Sequence, residues 1–376
     1  MQSWPPMRWN TWVDSELAAI RAEGRWRQNR SFDAFGLSGA LDGGPVISFA
    51  SNDYLGLSAH HEVVQAAQQA AGRWGTGATA SRLIVGTRPC HGDLEAEIAD
   101  FRGCERALVF PTGYAANLGV LGTLGGPDVT VLSDELNHAS IIDGCRLSRA
   151  VTRVYRHRDM DYLESLLRET TGRSIVVTDT VFSMDGDVAP LHTLAELAAH
   201  HGSLLVIDEA HAVLGPHLDP VDVPGLDLVR VGTLSKTLGS LGGWVAGPGP
   251  FIDLLINRAR SYIFTTGLSP ADAAAALAAL RIVRSAEGES LRQRLRSIID
   301  RVQPGHPSPI IPLILGDEGY ALDVAAQLLA QGVLVPAIRP PTVAPGTSRL
   351  RIALSAGHTD NMVDHLTATL DSLGLG

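Results

Sequence analysis

The chain has 376 residues, 45% of them hydrophobic and 19% charged, with a formal net charge of −10 at pH 7. That length and apolar content permit a large core, in one sizeable unit or in two domains, and exclude intrinsic disorder. The acidic balance leaves no basic footprint for nucleic acid, so any anionic ligand must be met by local arginines or helix ends.

Residues 1–45 stand apart, with four of the six tryptophans and the arginines Arg21, Arg25, Arg27 and Arg30. The spacing predicts an amphipathic helix over 14–28, packing Leu17 and Ile20 while the arginines face water. The opening "MQSWPPMRWNTWVDSEL" has neither the apolar core nor the cleavage pattern of a secretory signal. No apolar run is long enough to span a bilayer. Cys90, Cys104 and Cys145 form neither a disulfide framework nor a CxxC pattern. A soluble protein of the reducing cytoplasm is expected.

From 46 to 286 short β-rich runs alternate with helical patterns. The runs are 107–113, 129–134, 174–181, 204–210, 228–234 and 242–248, and helical stretches include 114–124, 139–148, 159–170 and 191–201. Continuous apolar strands separated by helices imply a largely parallel sheet covered on both faces. "GGWVAGP" follows its predecessor too closely for a crossover and is expected to run antiparallel. An Ala-rich helix over 271–288 leaves this large domain. A smaller α+β domain, 287–376, follows, with helices at 289–302, 319–331 and 358–373 and strands near 310–315, 333–335 and 349–354. There are no internal repeats.

In open α/β sheets ligands sit beyond the carboxyl ends of the strands. "LLVIDEAH" delivers Asp208 and His211 there, and the next strand delivers Thr233, Ser235 and Lys236. "SIVVTDTVFSMDGD" brings Ser183 and Asp185, "ALVFPTGYAAN" ends in Gly113 and Tyr114 at a helix start, and "VTVLSDELNHAS" brings His138. Singly, each has an ordinary reading: Asp208 as a helix cap, either histidine as a satisfied core group, Gly113 as a turn residue. Lys236 resists one, because it is the sole lysine of the chain, the other 29 basic residues being arginine. Arginine replaces lysine wherever a charge is wanted, but not where an amine must lose its proton and form a covalent bond. Together the set fits pyridoxal 5′-phosphate. A lysine can form a Schiff base with an aldehyde, a carboxylate can keep a pyridine nitrogen protonated, and a helix N-terminus can hold phosphate.

"IDEAH" also spells the acidic box of a nucleic-acid helicase, but that chemistry needs an upstream GxxxxGK[ST] loop, and the chain has none. "GTGATA" (75–80) follows a helix rather than a strand, which makes a dinucleotide loop a poor reading. No cluster has metal-ligand spacing.

"SFASNDYLGLS" (48–58), "FPTGYAANLGV" (110–120), "LNHASIIDG" (136–144), "VFSMDGDVAPL" (181–191), "VIDEAH" (206–211), "TLSKTLGSLGG" (233–243) and "RPPTVAPGTSRLRIALSAGHT" (339–359) resemble the α-oxoamine synthase family of fold-type I pyridoxal-phosphate enzymes. The resemblance implies a mostly parallel seven-stranded sheet with a smaller α+β domain, packed against the N-terminal segment, and a homodimer. It implies that Lys236 holds the cofactor and removes the amino acid's α-proton. Asp208 then pairs with the pyridine nitrogen and His138 stacks on the ring. His211 and Ser183 surround the phenolic oxygen, and Gly113, Tyr114 and Thr233 bind phosphate. Arg351 with Asn52 is similar to the family's grip on the substrate carboxylate, and Arg27 and Thr342 to its acyl-CoA contacts. "AIRPPTVAPGTSRLRI" looks most like members that condense L-alanine with pimeloyl-CoA in biotin biosynthesis, while glycine- and serine-using members share the cofactor motifs. Thr265 or Thr266 either reaches a neighbouring subunit's phosphate or serves as an ordinary helix cap. The chain departs from the family at "AVLGPH" after His211, where relatives are usually Gly-rich.

Overall fold

Runs such as "SIVVTD" and "LLVID" bury both faces only if helices cover them on either side, and the middle of the chain is built that way. The computed structural model describes residues 8–375; residues 1–7 of the N-terminal segment and Gly376 lie outside that range.

The first helix is Trp9–Ala22 rather than 14–28, because Gly24 is a poor residue to continue it. None of its residues is fully buried; Leu17 is half-buried, whereas Ile20 remains 38% exposed and does not pack as expected. The segment is not simply helical either. Strands β1 (Phe32–Phe35), β2 (Ser38–Leu41) and β3 (Gly44–Ser48) make an antiparallel meander. The β2–β3 reversal turns on Asp42 and Gly43, both at positive φ (52° and 89°), the conformation of a two-residue hairpin loop.

The large sheet contains β4 (Arg106–Phe110), β5 (Val129–Asp134), β6 (Val151–Tyr155), β7 (Arg173–Asp179), β8 (Leu204–Asp208), β9 (Asp227–Thr233) and β10 (Gly243–Gly247). Their order is β4-β10-β9-β8-β7-β5-β6. β10 runs antiparallel to both neighbours, with Val245 opposite Leu108 and Val231, as the short connection requires. β6 is the strand that the apolar pattern did not reveal. It lies at the sheet edge with most of its residues exposed, so it lacks the continuous apolar run of a central strand. Alternation along β8 shows both faces covered: Val206 joins a core cluster with Phe110, Val120 and Ile252, while Leu205 and Ile207 join one with Phe182 and Leu194.

The expected helix over 271–288 is broken. Pro270–Val283 ends, and Ser285 then caps a second helix, Ala286–Val302, accepting from the Glu287 and Gly288 amides. Beyond it lie β11 (Ile310–Gly316), β12 (Val333–Leu334), β13 (Ala337–Ile338) and β14 (Ser348–Ala353). β11, β14 and β13 form one antiparallel sheet, whereas β12 joins the N-terminal meander, parallel to β3.

His358 ties the same two regions together. Buried and stacked 4.2 Å from Phe49, it bonds through Nε2 to the Ser48 carbonyl at 3.0 Å, and its Nδ1 accepts the Ser355 amide at 3.0 Å. Only the neutral ring does both, and burial pulls its pKa down to about 4. The unfolded chain takes up this proton near pH 6.5 and the folded one near 4. Stability therefore falls as pH drops through that window, by about 3 kcal/mol from this residue. We expect H358Q, which keeps a donor and an acceptor but cannot titrate, to show a flatter loss of stability between pH 6.5 and 4 in urea titrations. An unchanged slope would contradict this.

Candidate active site

Strand ends gather the chemistry. β8 ends at Asp208, β9 at Thr233, and β7 leads into Ser183. The chain leaving β5 reaches His138, at the start of helix Ala139–Ser148. Helix Gly113–Leu124 begins just past β4. These residues, with Lys236, His211 and Tyr114, line one cavity of about 210 Å³.

Lys236 projects from a tight loop in which the Gly239 amide donates to the Lys236 carbonyl and the Leu234 amide to Gly242. Gly239 has φ 59°, and a Cβ there would lie 2.3 Å from the Ser58 nitrogen, so glycine is required. The Lys236 Nζ stands 2.7 Å from His211 Nε2, and His211 Nδ1 lies 2.6 Å from the Tyr54 hydroxyl. Tyr54 donates to Asn52 Oδ1 at 3.0 Å, which also accepts from Arg351 Nη2 at 3.1 Å. With the tyrosine proton spent on Asn52, His211 Nδ1 must carry the hydrogen and Nε2 must accept from the lysine. Burial lowers the Lys236 pKa, partly offset by Asp208 and Asp179. Burial, then the charge on Lys236, holds His211 well below the ordinary imidazole range.

Asp208 is buried and accepts from Asn117 Nδ2 at 2.7 Å and from the Ala210 amide at 2.9 Å. Asn117 Nδ2 also donates to Ser140, while its Oδ1 is buried without a partner. His138 receives the Ser140 amide and faces the Ser140 hydroxyl at 2.8 Å through Nδ1. Its backbone amide donates to Asp179 at 2.8 Å. Burial and the nearby Asp208 push the Asp179 carboxyl well above its usual range.

At the other end of the cavity Thr112 caps the helix, accepting the Ala115 amide at 3.0 Å. A Cβ on Gly113 would come within 3.3 Å of Thr233, so backbone and threonine converge there. An amine that sheds its proton readily, a carboxylate across from it and a helix N-terminus together suit pyridoxal 5′-phosphate.

Arg351 and Asn52 stand at the far end of the lysine–histidine–tyrosine chain. Arg351 is buried, donates to the Ser183 carbonyl and to Asn52, and makes no ion pair among the described residues. The neighbouring Arg349 is paired with Asp185. Arg27 and Thr342 are exposed and do not line the cavity. Their segments do meet, since Arg339 donates to the Gly24 carbonyl at 3.0 Å. Tyr114, also exposed, bonds through its hydroxyl to Asp143.

Glu209 points away from Asp208, as strand alternation demands. It is held by Arg230 at 2.6 Å and Arg102 at 3.3 Å. That arrangement leaves the "IDEAH" glutamate unable to hold a nucleotide's metal. A larger space of about 430 Å³ lies on that side, walled by Ala212, Val213 and His217 of the atypical "AVLGPH".

Sequence reading missed Tyr54, Asn117, Ser140 and Asp179. Asn117 had a signal: it lies one helical turn beyond Gly113, on the same face.

The chain matches the family model for aminotransferase class I and II over residues 44–370. It is 47% identical to an 8-amino-7-oxononanoate synthase of Anaeromyxobacter dehalogenans, covering 96% of this chain and 94% of the relative. Among solved structures, Sphingomonas wittichii serine palmitoyltransferase superposes with a TM-score of 0.89 at 31% identity, over 96% of both chains. A structure of SPT with PLP gives 0.89 at 28% identity, over 98% of this chain and all of that one. The fold is that of the fold-type I pyridoxal-phosphate transferases, and pyridoxal 5′-phosphate is the cofactor.

As the sole lysine, Lys236 can be followed alone. Reductive methylation of cofactor-free protein with ¹³C-formaldehyde should give one side-chain signal that titrates at lower pH than the same label in the urea-unfolded chain. An equal or higher midpoint would refute the lowered basicity.

Proposed function

The chain belongs to the aminotransferase class I and II family, and from that premise we propose that it is an 8-amino-7-oxononanoate synthase. In this reading it condenses L-alanine with pimeloyl-CoA, or another pimeloyl thioester, and releases coenzyme A and CO₂. The observation that carries it is the pairing, in one cavity, of a buried lysine amine of lowered pKa with a buried carboxylate. The near-full-length likeness to the Anaeromyxobacter protein favours the alanine-using branch.

When bound, the cofactor supplies an electron sink for charge developing at the alanine α-carbon. Lys236 would anchor it covalently and, once freed, would act as the base at the α-carbon, its lone pair available because burial lowers the amine's pKa; His211, 2.7 Å away, orients the amine. Asp208, fixed by Asn117 and the Ala210 amide, holds a proton on the pyridine nitrogen. His138 would lie against the ring face, Ser183 and His211 would flank the phenolic oxygen, and Gly113, Tyr114 and Thr233 would hold the phosphate, all of them lining the one cavity. Arg351, a buried cation with no ion-pair partner among the described residues, takes the alanine carboxylate alongside Asn52. Arg27 and Thr342 meet the coenzyme A portion where the N-terminal segment and the 339–342 turn come together.

The assembly we propose is a homodimer. Ile84 (75% exposed), Val85 (64%) and Phe264 (71%) lie on adjoining segments and form an apolar face for a second copy. No described helix is long and apolar enough to cross a membrane. We propose a cytoplasmic enzyme whose partners are its small-molecule substrates.

Alanine, glycine and serine supplied separately with pimeloyl-CoA should release coenzyme A fastest with alanine. Preference for glycine would move the protein to a sister activity of the same mechanism. D208N should retain pyridoxal 5′-phosphate yet exchange the alanine α-proton in deuterated buffer more slowly, by on the order of a hundredfold. Unchanged exchange would remove Asp208 from its role.

A further inference from the structure

Outside the cofactor cavity, His157 sits in surroundings that a neutral imidazole cannot satisfy. It lies in the turn leaving the edge strand β6. Its Nδ1 is 3.0 Å from Asp134 Oδ1, and its Nε2 is 2.8 Å from Asp187 Oδ2. A neutral ring has one N–H and one lone pair, so one contact would set a lone pair against a carboxylate oxygen. Only the imidazolium donates on both sides. The His157 side chain is 20% exposed and that of Asp134 only 2%, so the contact with Asp134 is shielded from water.

The other neighbours leave that charge in place. Arg158 donates to the same Asp187 oxygen at 3.1 Å, and Glu135 accepts the His157 backbone amide at 2.8 Å. Phe182 packs edge-on, with ring centres 4.4 Å apart. Burial works against the cation, but the bonds to Asp134 and Asp187 outweigh it and raise the His157 pKa to about 9.

What the ring joins is specific. Asp134 ends β5, and its two carboxylate oxygens accept the Leu136 and Arg158 amides, shaping the loop that leads to His138. Asp187 closes the 180–188 loop. There the Phe182 amide donates to the Asp187 carbonyl at 3.0 Å, and Val181 bridges to Val188. That loop presents Ser183 to the cofactor cavity, and the Ser183 carbonyl accepts from Arg351.

We propose that His157 is a positioning residue: a cation bonded to Asp134 and Asp187 at once, it clips the loop carrying His138 to the loop carrying Ser183 and thereby sets Arg351 for the substrate carboxylate. The last step rests on Arg351 receiving that carboxylate, as proposed above. Because the folded-state pKa is raised to about 9, the folded ring keeps its charge through neutral pH and loses it, and the clip with it, as pH rises through about 9; the stability it contributes is fully present only below the unfolded value near 6.5.

The test uses the holoenzyme labelled with ¹⁵N-histidine, with H157Q to assign the signal. Both ring nitrogens of His157 should stay protonated at pH 8 and lose a proton only near pH 9. H157Q should bind alanine more weakly, by on the order of tenfold, as read from the cofactor's absorbance change. Its affinity for pyridoxal 5′-phosphate should stay within about threefold, and it should lack the weakening of alanine binding that wild type shows above pH 8. A ring titrating near 6.5, or an H157Q protein matching wild type in alanine affinity and its pH profile, overturns the proposal. If H157Q does not fold, Asp187→Asn removes one anchor at constant size; the ring must then titrate closer to 6.5 and alanine binding must weaken. A protein that takes up no pyridoxal 5′-phosphate would sink the functional reading instead, while the ring titration would still be read independently.

Discussion

A largely buried primary amine 2.7 Å from an imidazole nitrogen, with no carboxylate in direct contact among the described residues, holds its proton more loosely than usual, and the rest of the site is arranged so that this can be so. Burial alone would lower the amine further; Asp208 and Asp179 act at a distance and limit the drop. The histidine is committed to accepting because Tyr54 gives its hydrogen to Asn52, an oxygen that also takes one from Arg351. Proton positions are thus fixed along a chain running from the lysine to a buried guanidinium. Removing any member would alter where the others keep their hydrogens.

The sheet makes this economical. Asp208 and Glu209 are consecutive and face opposite ways, so one serves the cavity while its neighbour binds Arg102 and Arg230 behind it. The two acids next to each other in sequence therefore have separate environments. Asp179, paired with Asp208 on the neighbouring strand, is instead pushed well above the usual carboxylate range by burial and by its proximity to Asp208.

Much of the cavity was legible because its residues sit in runs whose strand or helix character is plain. Lys236 stood out by composition, and Asp208, His211, Thr233 and His138 by lying just past apolar strands. Asn117 and Tyr54 were not, since a polar residue inside an apolar helix and a tyrosine in an irregular loop look ordinary until the fold brings them within 3 Å of Asp208 and His211. Strand β6 escaped because an edge strand shows half its surface to water. The meander β1–β3 escaped because its four- and five-residue strands are largely exposed and carry no apolar run, although the Asp42-Gly43 turn was a local hairpin signal. Helix ends were misplaced wherever a single capping group decides them, as Ser285 does.

The distant pairing of β3 with β12 bears on how the molecule is made. Val46, Ile47 and Phe49 leave the ribosome nearly three hundred residues before the strand that covers their edge, Val333–Leu334, and the imidazole that stacks on Phe49. Until then the nascent chain carries an unsatisfied β edge beside exposed apolar side chains, a surface that invites mispairing between neighbouring copies. Bringing the two segments together also closes a very large loop, which slows folding. Loss of the segment carrying β12 and His358 would therefore damage the sheet of β1–β3 as much as that of β11, β13 and β14.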